Sequence, residues 1–187
     1  MKKTDEAEDG LVWKELRTET IVKDEWIDFR KSAYLFPDGH VYEPYYTYSR
    51  RDYVVIVATD EEGRLICVRQ FRQGIKAVTT EFVAGGLEPG EEPLDAARRE
   101  LREETGYESD DWQVLMRLPS DATISDNYAT IVTARNCRRA HSQDLDAMEF
   151  LRVETLREDE IEDLISGGQF QQAMHVMAWL LFLRECR

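Results

Sequence analysis

The stretch GGLEPGEEPLDAARRELREETGY, residues 85 to 107, reads as a helix with a turn before it and a stop behind it. Pro93 suits the first helical turn, Glu91 and Glu92 complement the positive N-terminal end, and Gly106 suits the stop. Leu94, Ala97 and Leu101 recur at helical spacing, so one face packs on a core. Glu100, Glu103 and Glu104 share a different face and fall in the last turns. The helix dipole there is negative and disfavours each anion by some tenths to about 1 kcal/mol. Glu100 and Glu104 also form a like-charged i, i+4 pair. A charge run usually ends as a solvated acidic face. Three carboxylates at the unfavourable end of a helix, following the glycine-rich turn Ala84-Gly85-Gly86, instead point to a bound cation. Oxygen donors in this number suit Mg²⁺ or Mn²⁺ rather than zinc or copper, and the Ala84 carbonyl adds one more. Such a cluster suits holding a diphosphate and activating a water.

The flanking sequence is mostly extended. Residues 11 to 49 are rich in Trp, Tyr, Val, Ile and Thr, and Pro37-Asp38-Gly39 punctuates two strand-like runs. YVVIVAT (53 to 59), RLICVRQF (64 to 71) and TTEFVAG (79 to 85) read as strands before the helix. WQVLMRL, NYATIVTA and MEFLRVE read as strands after it. Two helical patterns, LREDEIEDLIS and QFQQAMHVMAWLLFLRE, close the chain on either side of Gly167-Gly168. The second is apolar on more than one face, so its Met, Trp and Phe residues are expected to pack in a core or an interface. Strands on both sides of one central helix predict a mixed α/β domain rather than repeated βαβ units. The expected division is a disordered lead-in over 1–10, an N-terminal antiparallel β-region over 11–49 and the main domain over 50–187.

Composition narrows the partners. A formal net charge of −14 argues against a nucleic-acid-binding surface, which needs clustered Lys and Arg. The longest clean apolar run, Val176 to Leu183, is too short to cross a bilayer. The N-terminus MKKTDEAEDG has no apolar signal region. Three widely spaced cysteines without a CxxC pattern fit reduced thiols in a cytoplasmic protein. The scattered histidines, with no HExxH, do not suggest zinc.

Gly85, Glu91, the run Arg99-Glu100-Leu101, Glu103-Glu104 and Gly106-Tyr107 together resemble the complete signature of the Nudix hydrolases. The resemblance reaches further. Gln70-Phe71-Arg72 and Glu81-Phe82-Val83-Ala84-Gly85 are similar to the segments before the signature in the ADP-ribose and nucleotide-sugar pyrophosphatase branch, with Val83 where proline is usual. It implies an α/β/α sandwich around a mixed sheet. It also implies hydrolysis of a nucleoside diphosphate-linked substrate, such as ADP-ribose or a nucleotide sugar, to a nucleoside monophosphate and a sugar phosphate.

Carried onto this chain, Glu100, Glu103, Glu104 and the Ala84 carbonyl become ligands of Mg²⁺ or Mn²⁺. Glu103 completes a second metal or orients water, and Arg99 holds the cluster through Glu91. Arg51 and Arg72 become candidates for phosphate, Glu81 for the substrate's terminal moiety, and Trp26 or Tyr42 for stacking on the base. The catalytic base falls among Asp144, Asp146 and Glu149, with Glu149 preferred for its position before the last strand. In the resembling branch the N-terminal strands pack against a second subunit, which implies a homodimer.

Two departures from the branch bear on substrate. LPSDATISDNYAT has no Pro-Gly, and Asn127 stands near the usual acid. Two alternatives stand beside the main reading. One is a different Nudix substrate, such as dinucleoside polyphosphates. The other is a Nudix-like sensor that binds a nucleotide without cleaving it.

Overall fold

The computed structural model describes residues 10–186; apart from Gly10, the expected lead-in lies outside the described residues. The chain falls into two compact units. One takes in the chain up to Arg50 together with Asp121–Asn127, and the other takes in Arg51–Ser120 and the chain from Tyr128 onward.

The first unit is an antiparallel meander of β1 (Lys14–Lys23), β2 (Asp28–Leu35) and β3 (Val41–Ser49). Gly39, with φ of 90°, makes the tight turn between β2 and β3. Trp13 stacks on Phe36 at 3.9 Å and meets Tyr34 and Tyr45 edge-on, so one end of the meander is held by aromatic contacts. The segment Asp121–Asn127 joins this unit along β3. Tyr48 donates its backbone N–H to Ile124 O at 2.8 Å, and the Tyr45 hydroxyl donates to Thr123 O at 2.7 Å. Nothing in the sequence signals the attachment of this segment to β3.

The second unit is a seven-stranded mixed sheet between helices. Its strands are β4 (Tyr53–Asp60), β5 (Leu65–Arg72), β6 (Ala77–Gly86), β7 (Tyr107–Glu108), β8 (Asp111–Pro119), β9 (Tyr128–Arg139) and β10 (Leu151–Leu156). The order is β10-β5-β6-β4-β9-β7, with β8 also on β9, and only β4 and β9 run parallel. The helices are α1 (Pro93–Thr105), α2 (Glu158–Ser166) and α3 (Ala173–Glu185). Alternation along β4 produces the layers. Val54, Ile56 and Ala58 face α1 through Ala96, Ala97 and Leu101. Val55 and Val57 face Ile161 of α2 and Ala178, Trp179 and Phe182 of α3. All of these side chains are buried, and each large one stabilises the sandwich by roughly 1.5–3 kcal/mol. The α/β/α expectation holds.

β6 changes partner halfway along. Residues 77 to 82 pair with β5, and residues 83 to 86 pair with β4. The exchange leaves one edge of Ala84-Gly85-Gly86 free of β5, beneath α1. These three residues form the end of a strand, not the turn expected from their composition. The expected strand MEFLRVE is also shorter than it reads. Its first three residues lie outside β10, and Met148 and Phe150 are almost fully exposed.

Candidate active site

α1 delivers the glutamates. Its ends are those the sequence marks: Pro93 in the first turn, and Gly106 with φ of 76° at the stop, its N–H bonded to Arg102 O. A Cβ on Gly106 would overlap the backbone carbonyl of His141, so close approach as well as φ requires glycine here. The approaching segment satisfies carbonyls at the helix end. Ala140 and His141 N–H donate to Gly106 O, Asp144 N–H donates to Glu103 O at 2.9 Å, and the Gln143 amide donates to Glu104 O at 2.7 Å. These contacts tie the segment leading to Glu149 to the helix that carries the glutamates.

Arg99 organises the cluster. Its Nε and Nη2 bind Glu91 in a two-pronged pair at 3.0 and 2.9 Å, the pairing that the family resemblance implies. Its Nη1 donates to Glu100 at 2.8 Å and to Glu103 at 3.2 Å, and Nη2 reaches Gly86 O at 3.0 Å. The bonds to Glu91 foremost, followed by those to Glu100 and Glu103, hold the guanidinium firmly protonated.

Glu104 has no such clasp. Its side chain is buried and its Oε2 has no hydrogen-bond partner among the described residues. Burial pushes its carboxyl well above the ordinary range, and the charges of Glu100 and Glu149 push the same way against Arg72. Burial also raises Glu100, although Arg99 opposes it. A Cβ on Gly85 would overlap the Glu100 carboxylate, so only glycine lets the helix carboxylate approach β6 this closely. The Ala84 N–H faces Glu104. In an extended strand a residue's N–H and C=O share an edge, so the Ala84 carbonyl turns the same way.

These features fit a hard divalent cation. Carboxylate and carbonyl oxygens are the correct donors, one buried oxygen lacks a partner, and the buried negative charge lacks full compensation. With Arg99 bonded to both Glu100 and Glu103, no three acidic, His or Cys side chains among the described residues converge as a ready ion cage.

The other predicted residues are distributed as follows. Arg72 forks onto Glu81 through Nε at 2.9 Å and Nη2 at 2.6 Å, and its charge is felt at Glu104. Glu81, the candidate for the substrate's terminal moiety, is fully buried and engaged by that fork. Arg51 is exposed just before β4, beside Gly86. Of the three candidate bases, Glu149 is half-buried and its charge acts on both Glu100 and Glu104, whereas Asp144 and Asp146 are exposed. Trp26 lies in the β1–β2 turn, exposed, its backbone N–H donating to the Asp24 carboxylate. Tyr42 is half-exposed at the start of β3. Both belong to the first unit, as does the buried Asn127, which accepts the Ser125 hydroxyl. His175 and Gln143 went unnoticed in the sequence. Each is a single polar residue without a motif, and only the fold brings it to the cluster's supports.

The chain aligns with the ADP-ribose pyrophosphatase of Bacillus subtilis (strain 168) at 33% identity over 121 residues, covering 64% of this chain and 65% of that protein, just under two thirds of its length. It aligns with the ADP compounds hydrolase NudE of Escherichia coli (strain K12) at 27% identity over 185 residues, covering 91% and 90% of the two chains. A crystal structure of an ADP compounds hydrolase superposes with a TM-score of 0.82 at 25% identity, covering 92% of each chain. The NUDIX domain profile matches residues 49–173, which include α1, Arg72, Glu81 and Glu149. The chain belongs to the Nudix family.

Proposed function

We propose that this Nudix protein is a divalent-cation-dependent pyrophosphohydrolase. It cleaves the diphosphate of ADP-linked compounds, such as ADP-ribose and ADP-sugars, to AMP and a sugar phosphate. The observation that carries the reading is the buried, unpartnered Glu104 oxygen, near a Glu100 carboxylate for which Gly85 leaves room. The names of the similar proteins, ADP-ribose pyrophosphatase and ADP compounds hydrolase, support the choice of substrate class.

Glu100, Glu103, Glu104 and the Ala84 carbonyl would hold Mg²⁺ or Mn²⁺. Such ions, when bound, neutralise the diphosphate and lower the pKa of a water. The chain's own residues do the rest. Arg99 spaces the carboxylates, and Arg72 and Arg51 offer guanidinium groups to phosphate oxygens. Glu149 takes the proton from the attacking water; its support is the charge it exerts on both buried glutamates. Water adds at one phosphorus, the bridging P–O bond breaks, and the leaving phosphate departs with its sugar.

The protein acts as a homodimer in this reading. β1 is exposed along all 10 of its residues, and Leu11, Val12, Leu16, Ile21 and Val22 add apolar surface that a second copy would cover. Three unpaired cysteines suit the reducing cytoplasm. The experiment is a panel of ADP-ribose, nucleotide sugars and dinucleoside polyphosphates with Mg²⁺ or Mn²⁺, products separated by chromatography. AMP with sugar phosphate is the expected result. Cleavage of dinucleoside polyphosphates alone, or of nothing, would overturn the reading.

A further inference from the structure

His175 enters the sheet layer from the first turn of α3 and is buried. Its Nδ1 accepts the backbone N–H of Phe82 at 3.2 Å. A backbone N–H can only donate, so Nδ1 carries no proton and the neutral ring carries its proton on Nε2. Nε2 faces Glu81 Oε2 at 3.9 Å, an electrostatic contact rather than a hydrogen bond. Burial first, and the charge of Arg72 second, depress its pKa to about 3, so the ring stays neutral at physiological pH.

Glu81 in turn holds Arg72. The fork uses Nε and one edge of Nη2, and the remaining N–H groups of Arg72 have no partner among the described residues. The Arg72 side chain keeps 36% of its surface, whereas Glu81 keeps none. The direction of the free guanidinium edge therefore depends on the buried carboxylate, and the carboxylate has the His175 ring against it. The surrounding backbone is also fastened to the segment before α3. Thr80 N–H donates to Gln169 O at 3.0 Å, and the Thr79 hydroxyl donates to the same carbonyl at 3.1 Å.

We propose that His175 is a positioning residue: with Nδ1 bound to the Phe82 N–H, its Nε2–H steadies Glu81 and so aims the free edge of Arg72 at a phosphate of the substrate. This rests on the proposed diphosphate chemistry only in naming what Arg72 meets. A purely structural histidine would contribute to stability alone. A positioning histidine contributes through Arg72, which a double-mutant cycle isolates.

The test compares wild type, His175→Phe, His175→Gln, Arg72→Ala and the double variant H175F/R72A. H175F keeps the aromatic packing against Phe82 and Phe170 and removes the Nε2–H. The expected result is a KM for ADP-ribose raised about tenfold with kcat within about threefold, the scale of one misdirected charge-assisted bond. H175Q, whose amide both accepts and donates, is expected to restore KM to within about threefold of wild type. In the R72A background H175F is expected to have no further effect. An equal effect in both backgrounds, or an unchanged KM in folded H175F, would overturn the proposal. ADP binding by calorimetry repeats the cycle without turnover, so an inactive wild type would defeat the functional reading while the cycle still judged His175. If H175F does not fold, or ADP does not bind, the ¹⁵N spectrum of the wild-type histidine ring decides. A proton on Nε2 supports the proposal, and one on Nδ1 overturns it.

Discussion

Glu104 is subject to two opposing demands. Burial and the neighbouring charges of Glu100 and Glu149 favour its protonated form, while a cation would favour the carboxylate. Because its folded pKa lies above the ordinary 4.5, the stability this group contributes is fully present below pH 4.5 and is lost as pH rises through the folded value. Glu104→Gln should therefore raise the melting temperature of the cation-free protein at pH 7 to 8, with the gain vanishing towards pH 4.5. The same variant should lower kcat for ADP-ribose at saturating Mg²⁺ by about a hundredfold or more, the scale of losing a group that acts in the transition state. Retention of more than about a tenth of wild-type kcat would contradict its role. The sequence disclosed this residue because three carboxylates break two local rules at once. It could not disclose that Glu81 lies beneath Arg72, because β6 reads as a strand whichever face its glutamate takes.

α1 was legible from end to end, since proline, glycine and an apolar stripe each act locally. The elements around it were less so. The start of β10 and the two-residue β7 depend on partners distant in the chain, and MEF resembles strand while lying in a loop. The contact between the C-terminus of α1 and the segment from Ala140 to Asp144 was invisible for the same reason. It makes Gly106 doubly constrained, by φ of 76° and by the His141 carbonyl. Gly106→Ala should destabilise the fold by about 1–3 kcal/mol, the cost of a left-handed non-glycine residue under contact, measured as a shift in urea midpoint at constant m. An unchanged midpoint would show that the helix stop and the following segment can part at no cost.

For the whole molecule, the account predicts the assembly mass and the substrate range. Light scattering at micromolar concentration should give about twice the 21.9 kDa chain mass, by the symmetric association usual for such surfaces. A monomer mass would remove the dimer. The segment Asp121–Asn127 lacks Pro-Gly and carries a buried amide at Asn127, near the position where the branch that the sequence resembles usually has an acid. An amide donates as well as accepts, so polar preferences for substrate are expected to differ from those an acid would set. ADP-ribose should be accepted without dominating the nucleotide sugars; a kcat/KM advantage above about a hundredfold, roughly 2.7 kcal/mol, would contradict this. The family was legible because its signature is local, whereas the attachment of Asp121–Asn127 to β3 required the folded chain. The central claim is that the glutamate face of α1 binds a divalent cation. Its most direct measurement is a Mn²⁺ titration followed by electron paramagnetic resonance on wild type and E104Q, each with ADP present. The account predicts bound Mn²⁺ in wild type and at least about tenfold weaker binding in E104Q, the least that losing a ligand should cost. Equal binding by the two proteins would contradict it.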